Sequence, residues 1–149
     1  MIDLRDNTGK YVSVTHRHML AYMARKMEPL QIGPGQYTYL FALYIEDGQS
    51  QQSLSDRMLV DKSATARAIN KLEKLGYVQR KPDETDKRFH RIFLTPRGME
   101  IRPQLEAIVE EVQEILLDNL SGEEKGILKM LLQKISRNMI EATRKIHNH

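Results

Sequence analysis

The sequence predicts a mainly α-helical protein that carries one small β-hairpin, and three observations support this prediction. Apolar residues recur at the spacing of one helical face in several segments of the 149-residue chain. One pair of β-prone segments, 77–81 and 89–94, flanks a short loop of proline, acidic and basic residues. Two long apolar patterns follow residue 95, and their spacing is typical of helices that pack on other helices.

Composition limits the classes of protein to consider. Apolar residues make up 40% and charged residues 29% of the chain, which is usual for one globular domain. The sequence contains no run of about 20 apolar residues that would span a membrane. The mixed charges of residues 1–6 do not resemble a secretion signal, so we expect a cytoplasmic protein. Cysteine is absent, which excludes disulfides, thiolate metal sites and cysteine nucleophiles.

The positive charge is concentrated in one segment of the chain. Residues 62–102 contain 11 Lys and Arg against 5 Asp and Glu, a net charge of +6, whereas the remaining residues have a net charge of −3. Clustered positive charge favours a polyanionic partner such as nucleic acid. A solvated charged surface without a partner is the alternative interpretation.

Two helices are predicted before the basic segment. The first covers residues 11–27, where Met19, Met23 and Met27 are four residues apart, and the turn at 33–35 follows it. The second stops at the Asp-Gly pair 47–48. Its predicted apolar stripe consists of Tyr37, Leu40, Phe41, Tyr44 and Ile45.

Two shorter helices follow in the arrangement of a helix-turn-helix. Ser50 is the predicted N-cap of a helix that ends near Met58, and Asp61 is the N-cap of the next, which stops at Gly76. A helical wheel of the latter puts Thr65, Ile69, Leu72 and Gly76 inside, and Ser63, Arg67, Lys71 and Lys74 outside. An exposed basic face on the second helix of such a pair is typical of helices that enter the DNA major groove.

The β-prone segments 77–81 and 89–94 should pair as a hairpin directly after this basic helix. A hairpin in that position is a wing, whose tip reaches the neighbouring minor groove. Arg88 is the candidate for insertion there, and Asp86, two residues away, would orient its guanidinium. A solvent-exposed charged turn is the alternative.

Two long helices are predicted after the hairpin. Thr95 and Pro96 start the first, Pro103 would bend its early turns, and Ser121 with Glu124 forms a capping box for the second. Their apolar stripes are Ile101, Leu105, Ile108, Val112 and Ile115, then Ile127, Leu128, Leu131, Leu132, Ile135, Met139 and Ile146. Both stripes need partner helices, so we expect a homodimer, in which two linked recognition helices bind a two-fold symmetric site.

These residues and their order resemble the MarR-type winged-helix regulators of bacteria and archaea over nearly the whole chain. Residues 60–80 look like that family's recognition helix running into its wing, and residues 120–124 are similar to the start of its last helix. The wing signature D-x-R followed by L-T-x-x-G is present as Asp86, Arg88, Leu94, Thr95 and Gly98. The resemblance implies a homodimeric DNA-binding transcriptional regulator, usually a repressor, on a pseudo-palindromic promoter operator.

On this interpretation residues 34–98 form a winged helix-turn-helix DNA-binding lobe, and residues 1–33 and 99–149 form a helical dimerisation region. The resemblance assigns a base contact to Arg67, most simply with guanine, and the minor groove to Arg88. It also assigns the groove-facing first turn to Ser63, Ala64 and Thr65, although the helical wheel turns Thr65 inward. The expected phosphate contacts are Lys62, Lys71, Lys74, Lys87 and Arg91.

Regulation by a small molecule is a further implication of the resemblance. Many relatives bind anionic aromatic compounds in a cleft beside the dimer helices, and the residues on segments that would flank it are His16, Arg17, Met23, Tyr37, Tyr39 and Tyr44. Metal sensing is the competing hypothesis, because the chain has five histidines. His16 and His18 point to different helix faces, His90 is isolated, and His147 and His149 end the chain, so no metal or cofactor is expected.

Two other classes of function remain to be compared. An enzyme would need a convergent nucleophile, base and charge stabiliser, and the sequence has no phosphate loop, metal motif or nucleophile elbow, so no enzyme is expected. A winged-helix module that binds protein instead of DNA is the stronger alternative. It would require an apolar or acidic exposed face on the helix that starts after Asp61, where the sequence predicts a cationic one.

Overall fold

The computed structural model describes residue 3 and residues 5–147, with the backbone alone at position 147. Within these residues the chain forms α1 (Thr8–Met27), a 3₁₀ helix (Glu28–Leu30), α2 (Tyr37–Ile45), β1 (Gln49–Ser50), α3 (Gln51–Met58), α4 (Lys62–Lys74), β2 (Val78–Pro82), β3 (His90–Leu94), α5 (Pro96–Glu100), α6 (Arg102–Leu116) and α7 (Gly122–His147). Two compact units, Met1–Val112 and Gln113–His149, are distinguished by their internal contacts. None of the helices described has the length and apolar character needed to cross a membrane.

The predicted helix starts after Ser50, Asp61, Thr95 and Ser121 are confirmed by side-chain caps, whereas α1 begins at Thr8 and not at the predicted residue 11. Ser50 accepts a hydrogen bond from the Ser53 N–H at 3.0 Å, and Asp61 accepts one from the Ala64 N–H at 2.7 Å. In the capping box, the Ser121 N–H donates to Glu124 at 2.8 Å, and the Glu124 N–H donates to the Ser121 hydroxyl at 3.2 Å. These bonds satisfy amides that the first helical turn leaves without a backbone partner, which explains why the sequence marks these boundaries clearly.

One buried core holds the first unit together. Met23 and Met27 bring α1 to it, as the methionine spacing predicts, and their exposed fractions are 2% and 0%. The other elements contribute apolar side chains that include Leu40, Leu43, Leu54, Ile69, Leu72, Ile92 and Leu105. The core thus packs α4 and β3 against α1, α2, α3 and α6, and thereby fixes the base from which α4 and the wing project.

The predicted stripe of α2 is wrong in part. Ile45 is 77% exposed, and the buried residues are Tyr39, Leu40, Ala42 and Leu43. Tyr37, Phe41 and Tyr44 are only partly buried. Because almost every residue of α2 is apolar, the sequence contrast that normally marks one helical face is absent here.

The hairpin is confirmed, and it belongs to a three-stranded antiparallel sheet in the order β1-β3-β2. Arg80 of β2 and Gln49 of β1 both pair with Ile92, which is fully buried on the central strand. The sequence did not predict β1, because a strand of two residues is too short to show alternation. Gln49 is buried, and its amide donates to the Ala42 and Glu46 carbonyls at 3.0 and 2.8 Å.

The predicted single helix after Thr95 is wrong, because it is divided at Ile101 into α5 and α6. Pro103 has no N–H to donate to the carbonyl four residues earlier, so a continuous helix would lose a hydrogen bond there. The Ile101 N–H still donates to the Arg97 carbonyl at 3.4 Å, and the Leu105 N–H donates to the Ile101 carbonyl at 3.0 Å. The break lies two residues before Pro103, where the sequence predicts a bend, and hydrogen bonds still connect the turns on its two sides.

The second unit contains the end of α6 and the whole of α7. No side chain described on α7 is fully buried within the chain, and Leu131 and Met139 of its apolar stripe are 48% and 66% exposed. Within this unit the apolar stripe of α7 is therefore exposed, as on a helix that packs against a further helix.

Candidate nucleic-acid interface

The side of α4 that faces the core fixes how this helix is presented. Ile69 and Leu72 are fully buried, and the Thr65 hydroxyl lies 3.2 Å from the Tyr39 hydroxyl of α2. Thr65 is itself 0% exposed. Its side chain therefore cannot reach a partner at the surface, and we correct its assignment to the groove-facing turn: Thr65 anchors α4, in agreement with the helical wheel.

The opposite side of α4 is exposed, as the wheel predicts. Ser63, Arg67, Lys71 and Lys74 all lie on it, with Lys62 at its start, and Ala64 is partly buried beside them. Gly76 ends the segment with φ of +78°, a left-handed conformation that favours glycine. The chain then enters β2, so the basic helix and the wing are adjacent in sequence. Both pack on the same core, through Leu72 of α4 and Ile92 of β3.

Five cations of this surface have no protein partner within residues 5–147: Lys62, Arg67, Lys71, Lys74 and Lys87. Arg57, Arg80, Arg88 and Arg91 of the same lobe are paired with carboxylates, and Lys81 and Arg97 lie over aromatic rings. The Arg80 guanidinium lies 2.6 Å from the Glu73 carboxylate, and that of Arg57 lies 3.7 Å from Glu46. The unpaired cations are thus confined to the exposed side of α4 and the wing tip, which gives that surface its positive field.

At the wing tip the predicted contact between Asp86 and Arg88 is present. The Asp86 carboxylate accepts from Arg88 Nη2 at 2.6 Å and from Nε at 2.9 Å, so the pair is bidentate. Hydrogen bonding by the Arg88 side chain lowers the pKa of Asp86, and the same bond raises the pKa of Arg88. The Arg88 side chain remains 84% exposed. Its guanidinium is therefore oriented by the protein and open to solvent.

The base of the wing loop is organised by Asp83, which sequence reasoning missed. Asp83 is 8% exposed, and one of its oxygens accepts from the Thr85 N–H, the Thr85 hydroxyl and the Asp86 N–H at 2.8, 2.6 and 3.1 Å. The other oxygen accepts from Arg91 Nε at 2.5 Å. The bonds from Thr85, followed by those from Arg91 and Asp86, hold the pKa of Asp83 far below its usual value.

Arg91 has a structural role that the sequence did not predict, because its guanidinium is bonded within the wing. Besides its bond to Asp83, Arg91 donates from Nη1 to the Gly48 carbonyl at 3.0 Å. This contact ties β3 to the chain just before β1. Arg91 is thus a structural link in the lobe, and since its side chain is still 48% exposed, its predicted phosphate contact stays a prediction. The sequence gives no signal for the role of Asp83, because it is one acid in a loop of mixed charges. Only the structure shows that it lies beside Arg91 of β3.

Comparisons with known proteins agree with this architecture. The MarR family model matches residues 30–88. An uncharacterised HTH-type transcriptional regulator of Bacillus subtilis, YybA, is 34% identical over 114 residues, which is 76% of each chain. The chain belongs to the MarR family of transcriptional regulators. The resemblance predicted from its sequence motifs is confirmed.

Solved structures of MarR proteins share the fold. A MarR transcriptional regulator from Methanosarcina mazei Go1 is 40% identical, with a TM-score of 0.82 over 90% of this chain and 96% of that one. A mutant MarR from E. coli, solved in complex with operator DNA, is 26% identical, with a TM-score of 0.78 over 85% of this chain and 91% of that one. The mainly helical winged-helix class predicted for this MarR-family chain is confirmed.

The residues predicted to flank an effector cleft differ in accessibility. Met23 and Tyr39 are 2% and 4% exposed, so they are core residues, and we correct their assignment as ligand contacts. Tyr37 and Tyr44 are partly buried on either side of Phe41 in edge-to-face contact, and burial raises the pKa of Tyr44 to about 12. His16 and Arg17 are exposed on α1.

The potential metal ligands of this MarR-family chain do not come together within the part of the chain that the structure describes. No group of three or more His, Asp or Glu side chains comes together as a metal site among those residues. His16, His18 and His90 are exposed. The side chain of His147 and the whole of His149 lie outside the described residues, so the expectation about them is not tested.

Proposed function

We propose that this MarR-family regulator binds double-stranded DNA sequence-specifically, with α4 in the major groove and the wing tip in the neighbouring minor groove. The observation that carries the proposal is the set of unpaired cations on α4 and at the wing tip, beside an oriented Arg88 that is 84% exposed. A duplex presents a continuous row of phosphates to such a cationic surface, and release of its counterions favours binding. The relative solved with operator DNA supports the same partner.

Within this interface the cations have different roles. Arg67 lies on the exposed face of α4, and its planar guanidinium can bond both acceptors of a guanine edge. Lys62, Lys71, Lys74 and Lys87 are point charges that neutralise phosphates and set the register. Ser63 and Ala64 lie in the first turn of α4, where a recognition helix comes nearest to the bases.

The proposed assembly is a homodimer on a pseudo-palindromic promoter operator, and its effect is repression by occlusion. The uncovered stripe of α7 supports a second copy as the partner. Residues 34–98 serve as the DNA-binding lobe, and residues 1–33 and 99–149 serve as the dimerisation region. A cytoplasmic location is part of this proposal.

Release by a small anionic aromatic ligand completes the proposal. The accessible candidates are His16, Arg17, Tyr37 and Tyr44, which combine positive or titratable groups with aromatic surface. A ligand shifts the regulator from DNA only if it binds the free form more tightly. Titration with salicylate should therefore weaken duplex binding, and an unchanged affinity would contradict this part alone.

A winged-helix module that binds protein is the alternative, and the exposed face of α4 argues against it. That face carries Ser63, Arg67, Lys71 and Lys74 in place of the apolar anchors that dominate protein interfaces.

The experiment is an electrophoretic shift with the purified full chain and fragments of the source genome, followed by variants on the selected site. Arg67→Ala should cost about 1–3 kcal/mol on the cognate duplex and less on random DNA. Lys71→Ala should weaken all sequences alike and reduce the salt dependence, because one phosphate contact is lost. Lys129→Ala, an exposed lysine of α7, is the control. If no fragment shifts, or if all three variants behave alike, the proposal is wrong.

A further inference from the structure

An exposed aromatic ring lies at the wing tip beside Arg88. Phe89 is 57% exposed although its backbone is fixed. Its N–H donates to the Asp86 carbonyl at 3.0 Å, and its carbonyl accepts from the Asp83 N–H at 2.9 Å. The Arg88 guanidinium lies 5.9 Å from the centre of the ring. An ordered turn therefore presents this ring to solvent together with the arginine.

Phe89 differs from the other two phenylalanines of the chain. Phe41 packs edge-to-face between Tyr37 and Tyr44, and Phe93 is partly buried beneath the Lys81 ammonium, 5.0 Å from the ring centre. Phe89 has only the Arg88 guanidinium beside it among the described ring contacts. Burial of apolar surface is favourable, so a partner that covers the Phe89 ring would bind more tightly for that reason.

The charges around Phe89 restrict what that partner is. Lys87 and Arg88 are exposed on the same tip, and Lys87 has no protein partner within the described chain. Asp86 orients Arg88 and the exposed Glu84 lies on the same loop, so the unpaired Lys87 and the ring of Phe89 together favour a partner that combines negative charge with apolar surface. The DNA minor groove does so, because its floor is electronegative and its walls are deoxyribose, and minor-groove proteins insert apolar side chains beside basic ones.

We infer that Phe89 is a DNA-contacting residue whose ring packs against the deoxyribose walls of the minor groove next to Arg88. The inference rests on the proposed DNA binding and assigns a second, apolar contact to the wing. Arg88 contributes affinity that falls with salt, because it displaces counterions, whereas Phe89 contributes affinity that salt leaves unchanged. The wing tip would thus respond to the width of the minor groove, because the Arg88 guanidinium and the Phe89 ring are held in the same turn.

The first test compares binding of variants to the selected duplex at several salt concentrations. Phe89→Ala should weaken binding about tenfold or more, the equivalent of burying part of a phenyl ring, with an unchanged slope of log affinity against log salt. Phe89→Leu, which keeps apolar surface, should lose less. Arg88→Ala should weaken binding and reduce the slope.

Ile45 provides a matched control on the same lobe. It is 77% exposed, and nearby Asp47 accepts from the Leu94 N–H at the base of the wing, the end opposite to the tip. Ile45→Ala should leave affinity unchanged. Thermal unfolding of Phe89→Ala should be close to that of the wild-type chain, since the residue is 57% exposed.

The second test uses fluorescence, because the chain has no tryptophan. Phe89→Trp introduces one reporter per chain, and its emission should be quenched or shifted to shorter wavelength when the duplex is added. Ile45→Trp should not respond. This readout does not depend on Phe89→Ala folding well.

The outcomes separate this inference from the function on which it rests. If the wild-type chain binds no duplex, the proposed function fails. If it binds and Arg88→Ala weakens binding, but the Phe89→Ala affinity and the Phe89→Trp emission are unaffected, only the Phe89 contact is overturned. The Phe89 contact would also be overturned if Phe89→Ala reduced the slope of log affinity against log salt as much as Arg88→Ala does. The ring would then act only by positioning Arg88.

Discussion

The carboxylate of Asp83 shows how much of the wing depends on one residue. It accepts hydrogen bonds from Thr85, Asp86 and Arg91, and Arg91 in turn reaches the Gly48 carbonyl. The turn that presents Arg88 is thereby joined to the chain before β1. Arg88 and Asp83 are only five positions apart in sequence, yet the Arg88 side chain is exposed and Asp83 is buried.

Asp83→Asn tests this role, because an amide can still accept from Thr85 and Asp86 but turns a donor toward Arg91. We expect a lower unfolding temperature, faster hydrogen exchange of the Asp86 amide, and weaker duplex binding. Glu84→Gln, at the exposed neighbouring acid, is the control and should change neither the unfolding temperature nor the exchange rate. Equal exchange rates in both variants would contradict the role assigned to Asp83.

The pH dependence of this effect has a definite sign. The pKa of Asp83 is lower in the folded chain than in the unfolded one, where it is near 3.8. Its contribution to stability is therefore fully present above about pH 4 and is lost as the pH falls toward the folded pKa. The difference in stability between the wild-type chain and Asp83→Asn should be constant near neutral pH and shrink below about pH 4, as measured by denaturant unfolding at each pH.

At the scale of elements, Gly98 shows why α5 fits against the wing. Its N–H donates to the Thr95 hydroxyl at 3.1 Å, and a Cβ atom at this position would overlap the Tyr77 carbonyl oxygen. The obstacle is backbone, which cannot rotate aside. Close approach of α5 to the residue before β2, and not an unusual φ, is thus the physical reason for the glycine in the L-T-x-x-G motif.

Gly98→Ala should therefore destabilise the fold by about 1–3 kcal/mol, the usual cost of overpacking. Gly126→Ala is the matched control, since nothing lies within 4 Å of a Cβ atom there and the site is inside α7. That substitution should be stabilising by about 0.5–1 kcal/mol, because alanine favours a helix. Denaturant unfolding of both variants measures the difference, and a neutral Gly98→Ala would refute the overlap.

At the scale of the whole molecule, α7 is the long helix whose apolar stripe is exposed among the described residues. Its apolar stripe includes Leu131, which is 48% exposed, and none of its described side chains is fully buried. The capping box at Ser121 and Glu124 starts the helix, but capping contributes only about 0.5–2 kcal/mol. A helix of 26 residues with this stripe needs burial to persist, which supports the proposed second copy.

Leu131→Glu should dissociate the proposed dimer, because it would place a charge in the apolar interface. The expected results are a sedimentation coefficient typical of one chain and a fall in duplex affinity of about 100-fold or more, since the two lobes would bind independently. Gln133→Glu adds the same charge on the other side of α7 and should keep the dimer. A Leu131→Glu chain that sediments as a dimer would place the interface elsewhere.

The sequence by itself determined the helix starts, the wing and the basic outer face of α4, because these depend on local chemistry. Caps such as Ser50 and Asp61 act within one turn, and the contrast between apolar and charged residues on α4 is strong enough to define its faces. The motif around Asp86 and Arg88 likewise indicated the family, since its partners are two residues apart.

Only the tertiary structure decided the features that depend on residues distant in sequence. The two-residue β1, the burial of Thr65 against Tyr39, and the link from Asp83 through Arg91 to Gly48 join segments that no local pattern relates. The uniformly apolar α2 was ambiguous for the same reason: its buried face is selected by what packs on it. In the same way, Arg67 and Arg91 look alike in sequence, and only the structure shows that Arg91 bonds Asp83 and Gly48 whereas Arg67 has no partner within the described residues.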